Sequence, residues 1–351
     1  MESNLSYSRM AISAGLADTA LEALGTFIIG ITAARILSPS ELGAYALFFA
    51  GFTWFAAIPT NLIFIPFELG LLDVHHSVRL YGFGRFLRWG ILAAIPAALL
   101  IPVVILVADT GEVNAGALTA LTVTAGLAVL VFPLQNHMRR LFHLANRSEL
   151  AAATSAVQFV VVVLSVLTLR ILEFRAAAIP FGALAVAKVV SLSAAATMAI
   201  VTSRHKIKVN ALSLSLKRLF IRGRWIVLQV MIQQVAGFVT ASLLGRMVSF
   251  SALGYVEAAR IVTRPVELLG QGVTASLGPR SMDAATTGNI PLAHHLRRTY
   301  LWILVPASSV YLLWVQFDSP INLFHDLIPV AYAAAGLITL RGLASPISGL
   351  G

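Results

Sequence analysis

The sequence predicts an all-α, polytopic membrane protein with about ten transmembrane helices, and three observations predict it. Of its 351 residues 58% are hydrophobic and only 11% charged, with a mean hydropathy of +0.86; a soluble domain carries about 25% charged residues and could not hide this much apolar surface. Apolar stretches near the roughly 20 residues that a bilayer requires follow one another along the chain. The Lys and Arg residues between them fall unequally on the two sides.

The stretches run over 12–34, 42–66, 87–108, 114–135, 151–172, 176–201, 225–245, 252–274, 299–317 and 328–347. One side receives eighteen basic residues: Arg9, Arg79, Arg85, Arg88, Arg139, Arg140, Arg147, Arg204, Lys206, Lys208, Lys217, Arg218, Arg222, Arg224, Arg280, Arg297, Arg298 and Arg341. The other receives Arg35, Arg170, Arg175 and Arg246. That asymmetry places both termini in the cytoplasm. The connection 203–224 divides a six-helix lobe, 1–202, from a lobe of about four helices, 225–351. Its VNALSLSLKRLFIRGRW segment mixes apolar with basic residues and reads as a helix on the inner leaflet or as a solvated basic linker. Trp225, Trp302, Trp314, Tyr300 and Tyr311 fit interfacial anchors near span ends. Pro96, Pro102, Pro180, Pro265 and Pro306 fall within spans, where they permit kinks.

Composition also excludes classes. The net charge of +10 sits between apolar runs, which fits an inner-leaflet surface rather than nucleic acid. With no cysteine the chain has no disulfide framework and no thiolate ligand or nucleophile. The first 34 residues do not read as a signal peptide, because Asp18 and Glu22 interrupt the apolar run. No HExxH, Walker A loop, strand-end GxGxxG or Gly-x-Ser-x-Gly elbow occurs, and the histidine pairs His75/His76 and His294/His295 are adjacent rather than a helical turn apart. The chain reads as no enzyme, with no metal site and no cofactor; any transport would draw on an ion gradient, a membrane potential or the substrate's own gradient.

Polar groups inside spans are the candidate functional residues, since a charge at that depth must pair, neutralise or face water. Asp18 and Glu22, four apart, share a face of the first helix and read as a proton or sodium coupling site or as a salt bridge. On the eighth helix Glu257, Arg260, Arg264 and Glu267, followed by Gln271, stay within an arc of about 80°. That stripe faces a hydrated cavity or the other lobe, and its guanidinium groups suit a phosphate. Lys188, mid-way along the sixth helix, reads as a cavity-facing lysine that meets an anionic head group or Glu22, or as one half of a purely structural ion pair. Gln229 and Gln233, one turn apart on the seventh helix, with Gln158 on the fifth, either line the same cavity or bond helices together.

A repeat links two turns. ARILSPSELGAYALFFA at 34–50 returns as RMVSFSALGYVEAARI at 246–261; with an offset of 211, Arg35, Ser38, Ser40, Leu42 and Gly43 fall on Arg246, Ser249, Ser251, Leu253 and Gly254. Each copy follows an apolar helix and opens another, as expected for two related halves with a cleft between them. Arg35, Gly43, Arg246 and Gly254 would mark the outer portal turns, with helix-end capping as the first role expected of them.

ARILSPSELGAYALF, QNHMRRLFHLANRSELAAATSAVQFV (135–160) and GRMVSFSALGYVEAARIVTRPVELLGQGVTASLGPR (245–280) resemble the multidrug, oligosaccharidyl-lipid and polysaccharide exporter superfamily, in particular its polysaccharide flippase branch. Leu42, Gly43, Tyr45, Leu253, Gly254, Tyr255, Ala259, Arg260 and Pro279 lie on the pattern. The resemblance implies a V-shaped, alternating-access flippase of two six-helix lobes in the bacterial inner membrane. It would carry a lipid-linked oligosaccharide of polyprenyl-diphosphate type for cell-surface polysaccharide. Arg260 and Arg264, with Lys188, would hold the diphosphate. Membrane lipids and the lipid-linked saccharide are the expected partners, with a polysaccharide polymerase or glycosyltransferases beside them; a monomer is expected. Relatives have twelve or fourteen helices, whereas ten fit here, so the second lobe reads as shortened. Two other readings stay open: a cation-coupled multidrug exporter, and a non-transporting membrane component of a polysaccharide assembly complex.

Overall fold

The computed structural model describes residues 2–71, 79–80, 83–108, 111–202, 216–261, 264 and 290–317. Among them there are helices and turns and no strand. Helix α1 runs over Glu2–Ile36, α2 over Pro39–Pro59, α3 over Ile65–Leu71, α4 over Phe83–Leu99, α5 over Val103–Ala108 and α6 over Ala115–Leu144. They are followed by α7 (Ser148–Ile171), α8 (Ile179–Thr202), α9 (Leu216–Met247), α10 (250–261) and α11 (Ile290–Phe317). Seven segments are long and apolar enough to cross a membrane: Ser13–Ile36, Pro39–Leu71, Leu87–Ala108, Ala115–Leu144, Ser148–Ile171, Ala176–Thr202 and Lys217–Met247. The chain is thus a multi-pass, all-helical membrane protein. Its outward-facing Leu99, Leu106, Ile171 and Ile232, each more than two-thirds exposed, suit a hydrocarbon surrounding.

The seven segments coincide with the first seven expected spans. Of the expected span 252–274 only 252–261 and Arg264 are described; 299–317 lies in α11, and 328–347 lies outside the described residues. Two of the boundary shifts carry charged residues onto helix. Helix α6 continues from the expected end at 135 to Leu144, carrying Arg139, Arg140 and His143 on helix rather than in a loop. Helix α9 begins at Leu216, so the second half of the expected 203–224 connection forms its first turns, and 203–215 lie outside the described residues.

The chain divides into two compact units, 1–254 and 255–351. In the first, α1, α6, α7 and α8 pack as one bundle, and α2 lies against α4, α6 and α9. Helix α9 packs against α2 and the turn that follows α2, within the first unit. Lipid tails are as apolar as leucine, so close packing rather than water exclusion holds such helices together. Accordingly Phe181 sits among Tyr45, Phe49 and Phe52, with ring centroids 5.2, 6.4 and 5.6 Å away.

Helix α2 passes into α3 through a π-helical turn, Thr60–Phe64. Pro59 and Pro66 flank it, and proline supplies no N–H to the ladder. Side chains add bonds to the carbonyls just ahead of it: Thr60 Oγ1 donates to that of Ala56 at 2.8 Å, and Asn61 Nδ2 to that of Ala57 at 2.7 Å. The Leu62 carbonyl lies where α9 crosses, and a Cβ at Gly223 would come within 2.2 Å of it.

The repeat recurs in three dimensions. Helices α1 and α9 end at Ile36 and Met247, the same 211-residue offset. Ser38 Oγ accepts from the Glu41 N–H at 3.4 Å, and Ser249 Oγ accepts from the Ala252 N–H at 3.0 Å. The backbone bonds Leu37 to Ala33 and Leu42 to Ser38 are matched by Val248 to Leu244 and Leu253 to Ser249. The two turns touch each other reciprocally. A Cβ at Gly43 would lie 1.9 Å from the Phe250 carbonyl oxygen, and one at Gly254 would lie 2.0 Å from that of Pro39. Since Pro39 and Phe250 are themselves offset mates, the first turns of α2 and α10 meet in a reciprocal contact.

Candidate functional site

Four helices of the first unit bring their polar residues to one place. Helix α1 supplies Asp18 and Glu22; α6 supplies Gln135, Asn136, Arg139 and His143; α7 supplies Ser155; α8 supplies Lys188 and Ser191. On α6 the spacing of 135, 136, 139 and 143 keeps these residues on one face.

Arg139 binds Asp18 in a fork, Nε to Oδ1 at 2.9 Å and Nη2 to Oδ2 at 2.7 Å, the planar geometry that guanidinium offers a carboxylate. Its remaining nitrogen reaches Glu22 Oε2. Asp18 Oδ1 also accepts from Ser155 Oγ at 2.5 Å, and Oδ2 lies 2.9 Å from His143 Nε2. Lys188 Nζ makes three bonds, to Glu22 Oε1 at 3.1 Å, Gln135 Oε1 at 2.8 Å and Asn136 Oδ1 at 3.2 Å, with the Phe132 ring 4.6 Å away. Gln135 Nε2 continues to Ser191 Oγ at 3.2 Å, which donates to the Thr154 carbonyl at 3.0 Å. The side chains of Asp18 and Lys188 are only 2% and 1% exposed.

Two carboxylates face a guanidinium and an amine, and every carboxylate oxygen has a donor. Such a set is costly to bury and costlier to break, because removing one member leaves a charge without compensation at depth. It ties four helices into one register. Lys188, expected at a substrate cavity or against Glu22, stands against Glu22 with its ammonium fully engaged inside the bundle.

A second cluster adjoins the first. Glu68 on α3 lies 2.8 Å from His137 Nδ1 and accepts from Arg140 Nη1 at 3.3 Å. Phe64 stacks on the His137 ring with centroids 4.3 Å apart. His137 Nε2 is buried with no hydrogen-bond partner among the described residues. A pocket of about 260 Å³ opens here, lined by Ile65, Glu68, Leu69, Arg140, His143 and Leu144. His143 belongs to both clusters, with Nδ1 on Ser148 Oγ at 3.1 Å and Nε2 on Asp18.

The remaining predicted residues lie elsewhere. Arg260 Nη2 donates to Glu257 Oε1 at 2.8 Å, joining a guanidinium side chain that is 45% exposed to a carboxylate that is 6% exposed. Arg264 is helical and half-buried; Glu267 and Gln271 lie outside the described residues. Arg246 donates to the Leu106 and Val107 carbonyls at 2.9 and 3.3 Å, closing the C-terminal end of α5, while Arg35 is exposed in the last turn of α1. Gln158 is buried. Gln229 and Gln233 are exposed on α9 and are not brought to the ionic network. At the 211-residue offset, however, they are the counterparts of Asp18 and Glu22. Sequence reasoning did not assign Glu68, His137, Arg139 or His143 to a site. The α6 face could have revealed the last two.

Among the described residues no group of three or more His, Cys, Asp or Glu stands close enough to hold a metal ion. The chain matches no protein-family model, no curated protein and no solved structure.

Proposed function

We propose that this chain is a flippase-type transporter that moves an anionic, lipid-linked oligosaccharide of polyprenyl-diphosphate type across a bacterial cytoplasmic membrane by alternating access. The observation that carries the reading is the internal repeat. Helices α1–α2 and α9–α10 are capped alike and cross through Gly43 and Gly254, and transporters of this kind are commonly built from repeated halves about a central site. The substrate class rests on Arg260, a half-exposed guanidinium beside the buried Ala258, Ala259 and Ile261, together with the sequence resemblance. A hydrated path for the head group leaves the lipid tails in the bilayer and avoids the cost of carrying charge and hydroxyl groups through hydrocarbon. The saturation of Asp18 and Glu22 by Arg139 and Lys188 weighs against cation-coupled drug export at that pair.

Reconstitution of the 351-residue chain in liposomes with a labelled polyprenyl-diphosphate oligosaccharide tests the reading. Leaflet-to-leaflet movement that an Arg260→Ala/Arg264→Ala variant abolishes while remaining folded is the expected result. A correctly inserted, folded protein that moves no such lipid removes the proposal.

A further inference from the structure

Gln229 and Gln233 occupy on α9 the places that Asp18 and Glu22 occupy on α1, at the offset that also relates the helix ends, the serine caps and the crossing glycines. The two pairs differ in charge and in company. The carboxylates are closed in by Arg139, Lys188, His143 and Ser155. The amides are exposed, and among the described residues neither has a hydrogen-bond partner.

Their surroundings on α9 make room. At 100° per residue, Gln229, Gln233, Ala236, Gly237 and Thr240 form a strip about 100° wide. All five are exposed, and a Cβ at Gly237 would meet nothing within 4 Å. On one side of the strip stand the exposed apolar residues Leu228, Ile232 and Val239. On the other, Gly223 and Met231 meet Leu62 and Trp54 of the α2 segment. The amides lie near the middle of the Lys217–Met247 span, where hydrocarbon satisfies no polar group and each unmet amide costs free energy. Each offers two donors and an acceptor oxygen with no charge, and residues four apart on a helix stand about 5–6 Å apart at Cβ. Two such groups on a face lined by small residues suit neighbouring hydroxyl groups of a sugar ring. They do not suit an anion, which the guanidinium of Arg260 serves better.

We propose that Gln229 and Gln233 form an uncharged hydrogen-bonding subsite for the saccharide part of the substrate, the second repeat's counterpart of the Asp18–Glu22 position. The subsite rests on the lipid-linked saccharide reading above.

Equilibrium binding to the full chain in nanodiscs tests it with two probes: a short-chain polyprenyl diphosphate bearing one N-acetylhexosamine, and the same lipid diphosphate without sugar. The expected result is that the wild type prefers the glycosylated probe by about 10- to 100-fold, as one or two net hydrogen bonds imply. Gln229→Leu/Gln233→Leu should erase that preference while leaving sugarless binding and the thermal midpoint in place. Equal binding of both probes by the wild type, or a preference that the variant keeps, overturns the subsite and leaves the transport reading standing. A variant that loses its thermal midpoint overturns it in favour of amides that join helices. A wild type that binds neither probe overturns the subsite together with the reading on which it rests.

Discussion

Asp18 with Glu22 and Gln229 with Gln233 hold equivalent places in two copies of one helix–turn–helix, yet one pair is locked and the other open. The turns that follow them are capped and crossed alike. What differs is the chemistry one turn apart on the helix face. A buried carboxylate pair demands cations, and recruiting Arg139 and Lys188 commits α6 and α8 to the bundle. An amide pair makes no such demand and stays available. A repeat can therefore keep its backbone geometry while one copy becomes structural and the other remains free to bind.

The largest effect should come from unbalancing the locked pair. Arg139→Met leaves Asp18 without its guanidinium and should cost about 3–5 kcal/mol, read as a lowered denaturation midpoint in detergent. The Gln229→Leu/Gln233→Leu variant should leave that midpoint unchanged. Equal losses in both would erase the contrast between the copies. Next come the glycines: Gly43→Ala and Gly254→Ala each drive a Cβ into a carbonyl oxygen. Overpacking of this kind costs about 1–3 kcal/mol, and the two losses should agree. A large loss at one position alone would remove the reciprocal crossing.

A double-mutant cycle between Glu22→Gln and Lys188→Met should return a coupling of about 0.5–3 kcal/mol, since the partners touch. The same cycle between Gln233→Leu and Lys188→Met should return nothing. The smallest difference is expected at the caps. Ser38→Ala and Ser249→Ala should each cost about 0.5–2 kcal/mol. Ser38 should be the costlier, because Glu41 closes a capping box there that Ala252 cannot; a costlier Ser249 would mean that the bond the Phe250 N–H donates to Glu112 Oε2 belongs to its cap.

The spans were legible because hydropathy alone marks them; α1, α2 and α4 to α9 cover the first seven expected stretches. Arg139 was not, since a cation near a span end counts as a loop residue until its partner is known, and Asp18 lies 121 positions away. The pairing of Lys188 with Glu22 was among the expectations because both charges sit at similar depth in their spans. The π turn was hidden because Pro59 and Pro66 announce a disturbed helix without saying how its carbonyls are re-satisfied. The correspondence of Asp18 and Glu22 with Gln229 and Gln233 was written in the sequence, but carboxylates and amides share no identity, so it emerged only once the matched helix ends fixed the offset.

The crossing of Gly43 with Gly254 also has a consequence for biogenesis. The ribosome delivers the second glycine 211 residues after the first, an interval of about 10–40 s at ordinary elongation rates. During that interval the first turn of α2 lacks the backbone that will fill its notch. A translocon or insertase that shelters this notch would act as a placeholder for α10, and release from it would be timed by the emergence of the second repeat.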